Sequence, residues 1–432
     1  MNSKLIKDLP ELVEKDIISK EVALKIEQYY QSQTQDSPNK LFTVFGVLGS
    51  LLVGLGIILI LAHNWDEFSR ATKTIFAFLP LIIGQLFAGY SILKRKSATW
   101  HEASGTFLFF AVGSSIALVS QIYNIPGDFS SYLLTWVVLC LPLIYLLKSN
   151  AVAILCVVFA TWYACIYGYG YMTSEQSPWL YLALIALVMP HYWQLLKRQS
   201  NGNITSIFNW ILPLSIVIAL GTFINRNEEF GLLMYVILVG LFYNIGKIPF
   251  FDDQKLRRNG YLIIGSLGTI GLLLFTSFNW IWDFDYERLF FNSQEFFISL
   301  VLFFITVGVL VYSSSKRWIK GLNLFHFVFI LFTILFFIGM TNDLISTIAI
   351  NLLVLALGLV TIKIGTDKFH FGILNYGLLI MTSLVVCRFF DTDMSYVIRG
   401  LLFVSVGLGF FLTNYFMLKK QKSIANLKKI KP

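Results

Sequence analysis

The sequence predicts an all-α fold: a polytopic transmembrane helix bundle of about fourteen spans, entered through a short N-terminal helical hairpin. Three observations carry this prediction. Only 13% of the residues are charged while 56% are apolar, which is about half the charge of an ordinary soluble domain. Uncharged runs of about 18 residues or more recur from Leu41 onward, each long enough to cross a bilayer core as a helix. The runs are continuous rather than alternating, and a backbone in lipid has to bond to itself, so helices are selected over a closed barrel. Soluble, disordered and secreted-disulfide classes are excluded. Cys140, Cys156, Cys165 and Cys387 all fall inside apolar runs and read as small hydrophobes.

The chain opens with a polar, charge-dense segment, residues 1–40, with no short apolar core of the kind a cleaved signal peptide carries. Leu5, Leu9, Leu12 and Val13 recur at helical spacing, with Pro10 suited to a first turn. A second helix starts at Ser19 as N-cap, with Glu21 in its first turn and Val22, Ile26, Tyr29 and Tyr30 on one side. Residues 34–40 form a turn-rich hinge. The hairpin reads either as a docking element at 1–35 for a cytoplasmic protein partner or as a cover on the cytoplasmic ends of the spans.

The bundle occupies 41–417, followed by a basic tail at 418–432. Its spans are expected at 41–62, 71–93, 104–123, 131–147, 151–172, 178–196, 206–224, 231–248, 260–282, 295–313, 319–339, 343–364, 372–390 and 394–417. With the N-terminus in the cytoplasm, 27 of the 33 Lys and Arg fall on the cytoplasmic side, as the positive-inside rule requires. Both termini are therefore expected in the cytoplasm and the protein in the cell inner (plasma) membrane. The net charge of +9 then records topology and contact with anionic headgroups, and no nucleic-acid partner is implied.

Glycines at 46, 49, 54 and 56 give the first span a small-residue face for close packing. That span and its exit read GVLGSLLVGLGIILILAHNWDEFSRATK, and the third and fourth read GSSIALVSQIYNIPGDFSSYLLTWVVLCLPLIYLL. With the N-terminal ELVEKDIISKEVALKIEQYY, these resemble the bacterial family of predicted membrane proteins DUF2157 over about residues 9–147. The resemblance rests on Gly49, Gly54, Gly56, Asn64, Trp65 and Lys73, then on Gln121, Tyr123, Pro126, Gly127, Asp128, Trp136 and Pro142. It implies a bacterial polytopic membrane protein and no particular reaction.

Polar chemistry concentrates where the spans at 41–62, 104–123 and 131–147 reach the outer side. His63, Asn64, Trp65, Gln121, Tyr123, Asn124, Asp128 and Trp136 would line one outer vestibule if those spans are neighbours. Rings offer stacking faces and amides fix orientation, which suits a sugar, peptide or headgroup. The alternative is an aromatic belt with ordinary helix caps. Gln85, Asn244, His326 and Asn351 sit deeper, inside apolar runs, where amides usually bond a neighbouring helix and a histidine can relay protons. No Asp or Glu stands at the centre of a span, which weighs against ion-coupled transport. His101 and Glu102 are expected solvated in a cytoplasmic loop. No metal or other cofactor is expected, because no two histidines stand one turn apart and no nucleotide, zinc-protease or nucleophile-elbow motif occurs.

One internal echo links Gly56–Trp65 (GIILILAHNW) to Gly271–Trp280 (GLLLFTSFNW), 215 residues on. The leading functional expectation is a transporter or flippase-like protein for a small polar or lipid-linked molecule. A non-catalytic sensor or assembly protein acting through the N-terminal hairpin is the alternative. A transferase using Asp66 and Glu67 is the third reading.

Overall fold

A computed structural model describes residues 9–15, 17–26, 65–169, 177–225, 227–282, 291–319, 321–391 and scattered positions between 397 and 419. The long helices are α1 (Arg70–Leu93), α2 (Ala98–Tyr123), α3 (Phe129–Leu146), α4 (Asn150–Gly168), α5 (Trp179–Arg198), α6 (Asn203–Leu220), α7 (Glu228–Gly246), α8 (Gly260–Thr276), α9 (Gln294–Ser315), α10 (Val328–Gly339), α11 (Asp343–Asp367) and α12 (Phe371–Asp391). Among the described residues no strand occurs. Ten of these helices are long and apolar enough to cross a membrane, and two apolar segments, Gly260–Thr276 and Leu324–Gly339, are shorter. The expected span at 41–62, with its glycine face, lies outside the described residues. The one at 394–417 is helical wherever it is described.

Helix ends follow local chemistry more than hydropathy. The side chains of Asp128, Asn259 and Asn342 each accept the backbone N–H three residues on, at 2.7, 3.0 and 3.0 Å, and so start α3, α8 and α11. The expected span at 104–123 begins six residues earlier, at Ala98. That places His101 and Glu102 inside α2 rather than in a loop. The expected span at 260–282 breaks after Thr276 and resumes as a 3-10 turn, Asn279–Trp282. The cause is side-chain capture of its last carbonyls: Trp282 Nε1 donates to Thr276 O at 2.9 Å and Asn351 Nδ2 to Ser277 O at 3.0 Å. The expected span at 319–339 likewise starts late, through a 3-10 turn, Leu324–Phe327. By contrast α3 runs unbroken through Pro142, and Pro80, Pro190 and Pro213 also lie within helices.

The chain divides into two compact units, Met1–Phe76 and Ala77–Pro432. In the first, helical turns at 9–14 and 20–26 carry buried Leu9 and exposed Val22 and Leu24, with Ile17 exposed in the bend between them. The second unit has two large apolar cores. One gathers side chains of α2 to α6 and the other those of α8 to α12. Helix α7 serves both, with Met234, Leu238 and Phe242 facing the first and Phe230, Leu233 and Ile237 the second. It is apolar on every side, as a helix enclosed by protein must be. Close packing beside it depends on glycine. A Cβ at Gly265 would stand 2.4 Å from Tyr243 N, and one at Gly246 would stand 2.6 Å from Leu262 N.

Candidate functional site

An open cleft of about 960 Å³ lies between α1, α2 and α3. From α1 it takes Phe78, Leu81 and Gln85; from α2, Val112, Ser115 and Ser120; from α3, Ser131, Tyr132, Thr135 and Leu139. The turn Ile125–Asp128 closes its rim. Apolar side chains thus come from all three helices, while the hydroxyls and the Asp128 carboxylate form a polar wall along α2, α3 and the rim, with the Gln85 amide on α1.

Local bonding sets that polar wall. Asp128 accepts from Ser131 N at 2.7 Å, from Ser131 Oγ at 2.9 Å and from Ser130 Oγ. The Ser130 hydroxyl, then the Ser131 amide and hydroxyl, hold its carboxyl at about 2, below the ordinary 3.8. A carboxylate so committed positions the wall and is a poor acid or base. Tyr132 OH donates to Gly113 O at 3.0 Å, Thr135 Oγ1 to Ser131 O at 2.8 Å and Ser115 Oγ to Ala77 O at 2.6 Å. Gln85 is exposed on α1 and faces the same space.

The expected vestibule residues separate. Asp128 lines the cleft, and Gln85, assigned from sequence to the membrane interior, joins it. Gln121, Tyr123 and Asn124 are exposed at the end of α2 and are not among the lining residues. Trp136 is buried behind the cleft, where its Nε1 donates to Phe109 O at 2.7 Å and its ring packs on Phe109, Tyr132 and Phe159. A Cβ at Gly113 would stand 2.2 Å from that indole, so only glycine admits it. Trp65 opens a 3-10 turn, Trp65–Glu67, with Lys73 Nζ 5.8 Å from its ring centre, and belongs to the other compact unit. Asp66 and Glu67 are exposed in that turn. His63 and Asn64 lie outside the described residues.

Of the deeper polar residues, Asn244 and His326 come together. Asn244 Nδ2 donates to Gly240 O at 2.9 Å and reaches His326 O at 3.4 Å, while His326 Nδ1 lies 2.8 Å from Asn323 Oδ1. Both side chains are fully buried. His326 belongs to the 3-10 turn before α10 and not to a mid-span position. Asn351 ties α11 to the end of α8 through Ser277 O.

Sequence reasoning missed a second cluster at the opposite end of the same three helices. His101 places Nδ1 3.0 Å from Leu147 O and Nε2 3.3 Å from Ser91 O, the terminal carbonyls of α3 and α1. Glu102 accepts from Asn150 N, Asn150 Nδ2 and Ala151 N at 2.9, 2.8 and 2.9 Å, and from Ser149 Oγ, capping α4. The imidazole thus lies against carbonyls at two helix C-termini, and the carboxylate meets the open amides of an N-terminus. Neither residue is solvated as expected. Glu295 was also missed: it is buried in the first turn of α9 and accepts from Asn225 N at 2.7 Å.

No curated protein and no solved structure matches the chain. The cleft, from Phe78 to Leu139, lies within the N-terminal third that does find a match. Residues 10–153 match the model of the family described as predicted membrane protein, DUF2157, in agreement with the resemblance read over 9–147.

Proposed function

We propose that this multi-pass membrane protein is a transporter or flippase-like protein that takes a small polar or lipid-linked molecule into the cleft between α1, α2 and α3. The observation that carries the reading is the mixed apolar and polar lining. Phe78, Leu81, Val112 and Leu139 suit an apolar chain, while Gln85, Ser120, Ser131 and Thr135 can bond a polar head. The commitment of Asp128 to three donors favours binding over acid–base chemistry. In this reading both termini lie in the cytoplasm of a cell inner membrane and the Asp128 end faces outward, which the distribution of Lys and Arg supports.

The test uses full-length protein in liposomes carrying fluorescently labelled phospholipid or a labelled polyprenyl-phosphate sugar, with a reductant added outside. Protein should expose label from the inner leaflet, and Gln85→Leu should slow that exposure about tenfold. Equal quenching with and without protein, for both labels, overturns the proposal.

A second reading, a sensor or assembly role, is favoured by exposed Ile17, Val22 and Leu24 in the N-terminal segment. It expects that deleting residues 1–35 abolishes function while label exposure is untouched.

A further inference from the structure

Two helix ends in this molecule are built alike. Helix α1 ends in Tyr90-Ser91-Ile92-Leu93 followed by Lys94-Arg95, and α9 ends in Tyr312-Ser313-Ser314-Ser315 followed by Lys316-Arg317. Tyr, Ser, Lys and Arg thus recur at one spacing, 222 residues apart. Each Arg sits in left-handed backbone, at φ 45° and 54°. The next residue donates its N–H to the carbonyl of the Ser, Lys96 to Ser91 at 3.0 Å and Trp318 to Ser313 at 2.9 Å, closing each helix in the same way.

Each tyrosine also meets a Trp and a Lys, although at different spacings along the chain. Tyr90 meets Trp100 edge-on with ring centres 6.4 Å apart, and Tyr312 meets Trp318 edge-on at 5.4 Å. Lys96 Nζ stands 5.1 Å from the Tyr90 ring centre and Lys316 Nζ stands 5.9 Å from that of Tyr312. The hydroxyls of Ser91 and Ser313 are both buried without a partner.

Left-handed backbone after a helix favours glycine, because a Cβ crowds the following carbonyl. Among the described residues Arg95, Asn124, Lys148, Arg317 and Phe369 take this conformation, and at the two matched ends the residue is arginine. None of Lys94, Arg95, Lys96, Lys316 and Arg317 makes an ion pair among the described residues. No Asp or Glu occurs between residues 68 and 101 or between 296 and 342. The next acid past the first end, Glu102, is committed to α4. At that end the His101 ring lies between the Ser91 carbonyl and the Leu147 carbonyl, and the next residue, Lys148, is left-handed at φ 51°.

We infer that the ends of α1 and α9, which share one Tyr-Ser-Lys-Arg framework, each bind the headgroup of an anionic phospholipid. Tyr and Trp rings belong at the depth where acyl chains meet headgroups. The guanidinium fork and the ammonium match phosphate oxygens, and exposed Leu93 and Val311 offer apolar surface to the chains. The site is doubled because its surroundings are. The echo of Gly56–Trp65 in Gly271–Trp280 precedes the two ends, and Asp128 and Asn342 cap the following α3 and α11 in the same manner, 214 residues apart.

Arg95→Gly combined with Arg317→Gly separates binding from folding, since glycine is the residue that this backbone prefers. Full-length protein is placed in nanodiscs of phosphatidylcholine with or without phosphatidylglycerol, and thermal unfolding and the lipid retained in native mass spectrometry are measured. Phosphatidylglycerol should raise the wild-type midpoint and be retained over phosphatidylcholine. The double variant should unfold no lower in phosphatidylcholine yet lose about fivefold of the preference per site. A wild type with no preference, or a variant that retains phosphatidylglycerol as well as wild type, overturns the assignment. An equal rise of the midpoint with inorganic phosphate in phosphatidylcholine discs overturns the lipid as its ligand.

Discussion

Asp128 and Trp136 stand about two turns apart and do different work. Trp136 fills the space behind the cleft, so Trp136→Phe removes the indole bond to Phe109 O and part of the ring volume, and should lower stability by about 1–2 kcal/mol. Gly113→Ala should cost a similar amount by overpacking the indole, about 1–3 kcal/mol. Both are read as loss of thermal midpoint in detergent. Asp128 acts through its cap. Its carboxyl is held at about 2 against 3.8 for the free group, so the folded state gains while the carboxylate is ionised and loses that gain as pH falls from about 4 toward 2. Exposure keeps the effect small. Wild type should exceed Asp128→Ala by about 1 kcal/mol near neutral pH, and the gap should narrow over that window. The sequence marked both residues as polar–aromatic chemistry beside a turn. It could not sort them, because burial of Trp136 depends on Phe109 from α2 and Phe159 from α4.

At the scale of elements, helix ends decide the architecture. Glu102→Ala would leave the Asn150 and Ala151 amides and the Ser149 hydroxyl short of an acceptor, and should cost about 2–3 kcal/mol, with Glu102→Gln recovering part of it. Thermal unfolding of the two variants checks this, and equal midpoints would remove the cap as an explanation. Gly265→Val should prevent α8 from seating on α7 and abolish recovery of folded protein in size-exclusion chromatography. Helix cores were legible because apolar runs survive any neighbour. Helix ends were not. The break after Thr276 comes from Trp282 and Asn351 taking the last carbonyls of α8, and the early start of α2 comes from His101 and Glu102 finding partners on three other helices. Hydropathy does not register a hydrogen bond made by a distant residue.

For the whole molecule, the placement of Lys and Arg makes a topological prediction. A cytoplasmic reporter fused after Arg198 should be active and one after Glu175 silent; the reverse pattern inverts the bundle. The second compact unit has two cores that meet at α7, the first of them also taking Phe251 and Tyr261 from beyond that helix. The pin at His101 has a mechanical meaning. It ties α1 and α3 to α2 at one extremity, through Ser91 and Leu147, while the cleft occupies the opposite halves of the same three rods. The same rods are tied again beside the cleft, by Ser115 Oγ to Ala77 O and by Tyr132 OH to Gly113 O. Rods held at two levels resist tilting as well as sliding. A molecule entering the cleft therefore meets walls of set spacing, and widening them means breaking a hydroxyl bond rather than bending a helix.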